Sequence, residues 1–155
     1  MSRVFRGCPV PIVRFFALLA VLAGPAVATA APANPVGDWM TEDHKGVITI
    51  APCGDALCGA ITGLSEFPPG GRRDVHGAQE CQLQIIKDMR PGDDGRHHGT
   101  VDNPENGKVY HAQLWVDDAG VLNLRGYVGI PLLGETRNWT KFVGKRTPDC
   151  HFSAG

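Results

Sequence analysis

Beyond its first thirty residues the chain reads as an all-β domain, with about eight antiparallel strands in up-and-down order closed into a barrel. Three observations predict this. Short runs rich in Val, Ile, Thr and aromatic residues recur along the chain. Turn signals such as "CGDA", "PGDDG", "NPENG" and "DDAG" separate many of them. Helical periodicity is almost absent. Short links favour antiparallel neighbours, and closure removes the unpaired edges of an open sheet. A two-sheet sandwich is the alternative arrangement.

The elements follow in order. "VGDWMTE" opens the domain after a Pro-containing leader, and "GVITIAP" and "LCGAITGL" flank the "CGDA" turn as a hairpin. "SEFPPGGRRDVHGAQ" is a long loop rich in Pro, Gly and charge. "CQLQIIKDM" is the fourth strand. "RHHGTVD" and "KVYHAQLWV" flank "NPENG", and "DDAG" leads into "VLNLRGYV". "GIPLLG" is a short apolar loop, "ETRNWTKFV" the last strand, and residues 144–155 a tail. The expected organisation is a signal peptide over 1–30, a leader over 31–35, the barrel over 36–143 and the tail.

One hairpin can be read to the residue. A type I turn at "DDAG", with Gly120 as a left-handed bulge, pairs Val116 with Leu122 and Leu114 with Leu124. The apolar faces of the two strands then coincide. Tyr110, Ala112, Leu114, Val116, Leu122, Leu124 and Val128 face inwards, while His111, Gln113, Trp115, Asn123, Arg125 and Tyr127 face outwards. A slip of one residue would set Leu114 beside Asn123.

The compartment comes from the first residues. Arg3, Arg6 and Arg14 make a basic start, Phe15 to Gly24 is a short apolar run, and Ala28 and Ala30 have the spacing of a cleavage site. That order is a secretory signal peptide, too short in its apolar run to span a bilayer comfortably. Cys8 precedes the run and would leave with the peptide. The whole chain has 15 basic and 16 acidic residues; losing three arginines leaves 12 against 16, a formal charge of −4. No basic stripe exists, which argues against nucleic acid as a partner. No second apolar run reaches membrane length.

Four cysteines then remain: Cys53, Cys58, Cys81 and Cys150. An even count in an exported chain reads as disulfides, and four cysteines allow three pairings. A tight turn favours Cys53–Cys58, which leaves Cys81–Cys150 to tie the tail to the body. A redox centre usually has C-x-x-C at a helix start, whereas this spacing is C-x-x-x-x-C on a hairpin. No zinc-finger spacing of Cys and His accompanies it.

The stretches "GDWMTEDHKGVITIAPCGDALCGAI", "PENGKVYHAQLWVDDAGVLNLRGYVGIPLLG" and "WTK" resemble the bacterial domain-of-unknown-function family DUF2147, small exported proteins. The resemblance runs from Val36 to Phe142. It implies a small lipocalin-like barrel and no assigned activity. Two departures are visible: "SEFPPGGRRDVHG" stands where the family usually has an Asn-Pro loop, and the tail with Cys150 extends past the usual end. Gly37-Asp38-Trp39 is also similar to the G-x-W that opens the first lipocalin strand. The resemblance implies that Trp39 plugs one barrel end under a late basic residue, Lys141 or Arg137. Such a cation–π stack is worth about 1 kcal/mol.

Candidate chemistry is sparse. His97 and His98 are adjacent, so they point to opposite faces of a strand; His97 and His111 could share a face, but two histidines without a third ligand make a weak metal site. Asp102 and Glu105 could act as paired carboxylates, yet their Asn-, Pro- and Gly-rich setting suits turn capping better. "DDG" at 93–95 and "DNPENG" fail the calcium-loop spacing. No Ser stands in a G-x-S-x-G setting. An envelope enzyme would need Asp102, Tyr110 and His98 to converge.

Binding fits better. Gly99, Ala112 and Gly126 are small residues that could leave interior space. The expected ligand-binding set is Tyr110, Ala112, Leu114, Leu124, Gly126, Ile130, Leu132 and Leu133. The last three belong to "GIPLLG" and would line a pocket mouth, plug one end or form a partner patch. Arg72 and Arg73 in the long loop could meet an anionic head group. The expectation is a periplasmic or secreted barrel that binds a small apolar or amphipathic molecule, with no metal and no cofactor. The alternative is a structural or protein-interaction component of the cell envelope.

Overall fold

The computed structural model describes residues 33–154; the signal-peptide reading of residues 1–30, Cys8 included, lies outside them. Eight strands form a closed barrel in sequence order: β1 (Gly37–Met40), β2 (Gly46–Cys53), β3 (Ala56–Leu64), β4 (Gln84–Pro91), β5 (His97–Asp102), β6 (Val109–Val116), β7 (Leu122–Tyr127) and β8 (Glu135–Lys141). Every neighbouring pair is antiparallel, including the seam between β1 and β8, where the register pairs are Trp39↔Lys141 and Met40↔Thr140. Among the described residues no helix is long and apolar enough to cross a membrane.

The β6–β7 hairpin takes the expected register, with Val116 opposite Leu122 and Leu114 opposite Leu124. Gly120 sits at φ 78° in the connecting turn, a conformation that a β-carbon disfavours. The Asp117 carboxylate accepts the N–H groups of Ala119 and Val121 and fixes that turn. Ala112, Leu114, Leu122 and Leu124 are buried in the core. Val128 is a correction: it lies past the end of β7 and is 71% exposed. On the outer face, Gln113 and Asn123 are buried by polar cover. Arg96 Nη1 donates to Gln113 Oε1 at 3.0 Å, and its guanidinium lies 4.1 Å from the Trp115 ring centre.

Two stretches differ from expectation. β4 begins at Gln84, not Cys81, because residues 81–83 turn back onto β3: Gln82 has φ 65° and its N–H donates to Ile61 O at 2.8 Å. The tail is a second hairpin, β9 (Gly144–Arg146) with β10 (Phe152–Ala154). Arg146 straps it to the outside of the barrel. Its Nη2 lies 2.5 Å from Asp38 Oδ2, and its Nη1 donates to Thr49 Oγ1 at 2.6 Å and to Thr62 Oγ1.

Disulfides join Cys53 to Cys58 and Cys81 to Cys150. The first pins the β2–β3 hairpin turn. The second pins the base of the long β3–β4 loop to the tail.

Candidate ligand-binding site

The barrel has two unlike ends. The chain enters one end at Pro35, and the β2–β3, β4–β5 and β6–β7 turns close it. Here Trp39 is fully buried; its Nε1 donates to Pro35 O at 2.8 Å. Lys141 Nζ lies 3.9 Å from the Trp39 ring centre and donates to Val36 O at 3.2 Å. Lys141 therefore takes the place over the tryptophan. Arg137 does not: four residues earlier on β8, it sits towards the opposite end, paired with Glu135 and Glu42.

That opposite end holds a cavity of about 930 Å³. The β1–β2, β3–β4, β5–β6 and β7–β8 connections surround its mouth. Ile48, Ile61, Leu64, Ile85, Leu124 and Trp139, from β2, β3, β4, β7 and β8, form its apolar wall. Alternation along the strands sends apolar groups to the interior, and register shifts in β3 and β4 add Leu64 and Ile85 to the wall. Ala112 and Leu114 belong instead to the buried core outside the cavity lining.

Of the eight residues expected to bind ligand, Tyr110, Leu124, Gly126 and Leu133 line the cavity, while Ala112, Leu114, Ile130 and Leu132 do not. Gly126 leaves real space: a β-carbon there would meet nothing nearer than 3.7 Å. Gly99 does not. A β-carbon on it would collide with the carbonyl oxygens of Lys87 and Asp88, where β4 bulges towards β5. The "GIPLLG" segment forms a 3-10 turn, Pro131–Leu133, tied down by Arg125, whose Nε donates to Pro131 O at 2.7 Å and Nη2 to Leu132 O at 3.2 Å. The tie leaves Leu132 82% and Leu133 77% exposed, so the turn is not a plug over the barrel.

The long loop leans across the mouth. Val75 N–H donates to Pro104 O at 3.0 Å, joining it to the β5–β6 turn. Arg72 Nε is 2.8 Å from Glu80 Oε2, and Glu80 is buried. Arg73 Nη1 donates to Gly77 O within the loop. Neither arginine stands free for an anionic head group.

The other polar candidates are dispersed. His97 lies on the inner face opposite Leu114, whereas His111 is on the outer face beside Tyr127, so the two do not share a face. His98 Nε2 meets Asp94 Oδ1 at 2.8 Å, a contact that hydrogen-bonding to His98 uses to hold the Asp94 carboxyl below its ordinary range. Asp102 pairs with Lys87, and its Oδ1 is buried without a partner. Tyr110 OH accepts from Asn106 Nδ2 at 3.1 Å. Asp102, Tyr110 and His98 thus each serve a different local contact. Glu105 turns to Arg72 at 3.7 Å and not to Asp102. Among the described residues no cluster of three or more His, Cys, Asp or Glu could hold a metal ion.

The family model described as "Uncharacterized protein conserved in bacteria (DUF2147)" matches residues 37–141, the span from the first barrel strand to the last. Among solved structures, protein HP1028 from the human pathogen Helicobacter pylori, described as belonging to the lipocalin family, is similar. The TM-score is 0.56 at 13% identity, over 73% of this chain and 83% of that one. At that identity the likeness is one of fold. A search of curated proteins found no match.

Proposed function

Because the chain belongs to the bacterial family DUF2147 and closes into a lipocalin-like barrel, we propose that it is an exported binding protein for one small apolar or amphipathic molecule. The observation that carries this reading is the cavity of about 930 Å³ at one barrel end, within the size range of small-molecule sites and walled by apolar side chains. Tyr110, Leu124, Gly126 and Leu133 are its contacts from the β6–β7 side. Export to the periplasm or beyond is supported by the first thirty residues and by two disulfides, which persist in oxidising compartments. The test is native mass spectrometry on protein purified from the periplasm without detergent. An extra mass that is lost on denaturation is expected. Protein that carries none, and takes up none from a panel of neutral apolar molecules, would end the reading.

A second reading has its own support. Val75, Val109, Val128, Ile130, Leu132 and Leu133 are exposed, and all lie on or beside the connections around the mouth. That end could equally seat a protein partner of the cell envelope. Leu132→Asp with Leu133→Asp should then remove specific cross-links; unchanged cross-links would count against it.

A further inference from the structure

The charges around the mouth do not balance. Arg72 is shared between two carboxylates, Glu80 at 2.8 Å and Glu105 at 3.7 Å. Arg137 is likewise shared between Glu135 at 3.2 Å and Glu42 at 3.8 Å. Each group carries one negative charge in excess. Asp43 takes its hydrogen bonds from neutral donors, the Thr41 hydroxyl at 2.7 Å and the Lys45 backbone N–H at 3.1 Å, and the Lys45 charge acts on it without an ion pair. The Lys45 ammonium lies 3.6 Å from Glu66 instead. Asp102 is matched by Lys87. The cavity lining thus contains six carboxylates and three bases, an excess of three negative charges above an apolar chamber.

We infer that the cavity selects amphiphiles with a cationic head group, an ammonium on an apolar tail, over those with a carboxylate head. The inference rests on the binding reading above and sharpens it. The tail would lie among Ile48, Ile61, Ile85 and Trp139, with the head at the level of Asp43 and the two shared arginines. A carboxylate head finds both arginines already engaged and adds to the excess charge. An ammonium head is attracted by the uncompensated carboxylate charge and stays partly hydrated, so little desolvation opposes it. Three excess charges several ångströms away, in a solvated and salt-screened mouth, correspond to about a tenfold difference in Kd between heads of opposite sign.

The experiment is competition against the neutral fluorophore N-phenyl-1-naphthylamine, on the mature chain with both disulfides intact. The competitors are decyltrimethylammonium, decanol and decanoate, below their micelle concentrations, at neutral pH in low and then high salt. The expected result is displacement by decanol, with decyltrimethylammonium about tenfold tighter than decanoate and the gap narrowing in high salt. Asp43→Asn combined with Glu105→Gln should bring that ratio towards one. Displacement by decanol with decanoate equal or tighter would overturn the inference and leave the binding reading standing. So would a folded double variant that keeps the wild-type ratio. Failure of both the fluorophore and decanol to bind would remove the binding reading itself, and this inference with it.

Discussion

The closed end of the barrel and the open end are made from the same eight strands, yet they solve opposite problems. At the closed end, short turns and Trp39 fill the interior, and Lys141 caps the ring by cation–π contact and a backbone hydrogen bond. At the open end the connections are longer, the interior is left unfilled, and ion pairs replace apolar packing. Stability and binding are therefore divided along the barrel axis. Substitutions low in the barrel should unfold the protein, and substitutions high in it should change what it holds.

The largest effect that would sharpen this contrast is Trp39→Ala, expected to cost about 3–5 kcal/mol in guanidinium unfolding as a large buried aromatic is lost. Next are the disulfides. Cys81→Ser with Cys150→Ser opens a link across 69 residues and should cost about 4 kcal/mol, whereas Cys53→Ser with Cys58→Ser, across 5, should cost about 2. Equal losses would mean that unfolded-chain entropy does not set the ranking. Gly126→Leu should do the reverse of Trp39→Ala: it fills open space, so the midpoint holds while binding of a neutral fluorophore falls away. Retained binding there would place the ligand elsewhere. Lys141→Met should cost only about 1 kcal/mol by the same unfolding assay.

The smallest effect concerns acid. Burial alone would push the Asp43 carboxyl up, but hydrogen bonds from the Thr41 hydroxyl and the Lys45 N–H, with the Lys45 charge, outweigh it and hold the group below its ordinary range. A depressed folded pKa means that this carboxylate supports the fold above the ordinary carboxylate range. The support is lost as pH falls through the lowered value. In a carboxyl NMR titration, Thr41→Val should move the Asp43 transition to higher pH; no movement would assign the depression to other donors.

Much of the barrel was legible in the sequence because its signals are local. Alternation in "KVYHAQLWV" and the positive-φ glycine of "DDAG" define a hairpin register without reference to any other strand. The turn between Cys53 and Cys58 likewise makes their pairing a local matter. The height of a residue along the barrel is not local. Ile48 and Ile61 line the cavity whereas Ala112 and Leu114 lie in the buried core, and all are inward-facing residues of similar strands. Even register partners divide: Gly126 and Leu124 line the cavity, whereas Ala112 and Leu114 opposite them do not. Arg137 illustrates the same point: it shares β8 with Lys141 yet sits at the other end. The fourth strand began too early because "CQL" continues an apolar run, and nothing nearby announces that Gln82 turns back. The tail hairpin was missed because strands of three residues carry no readable period. Inward apolar positions in the mouth half of each strand are the signal from which Val101 and Trp139 could have been found; Ile85 stands beside the inward Ile86 at a register shift, where alternation breaks.

The seam between β1 and β8 has a kinetic consequence. Seven of the eight strand pairings join neighbours in sequence, and all of these but β3 with β4, which the long loop connects, can form as local hairpins. The seam joins the two extremes of the domain through the register pairs at Trp39 and Met40. Its closure must wait for the longest loop the chain can make, and it returns the fewest backbone bonds once made. The barrel is therefore expected to assemble as an open ribbon that zips shut late. In native-state hydrogen exchange, the amides of β1 should be released before those of β6 and β7.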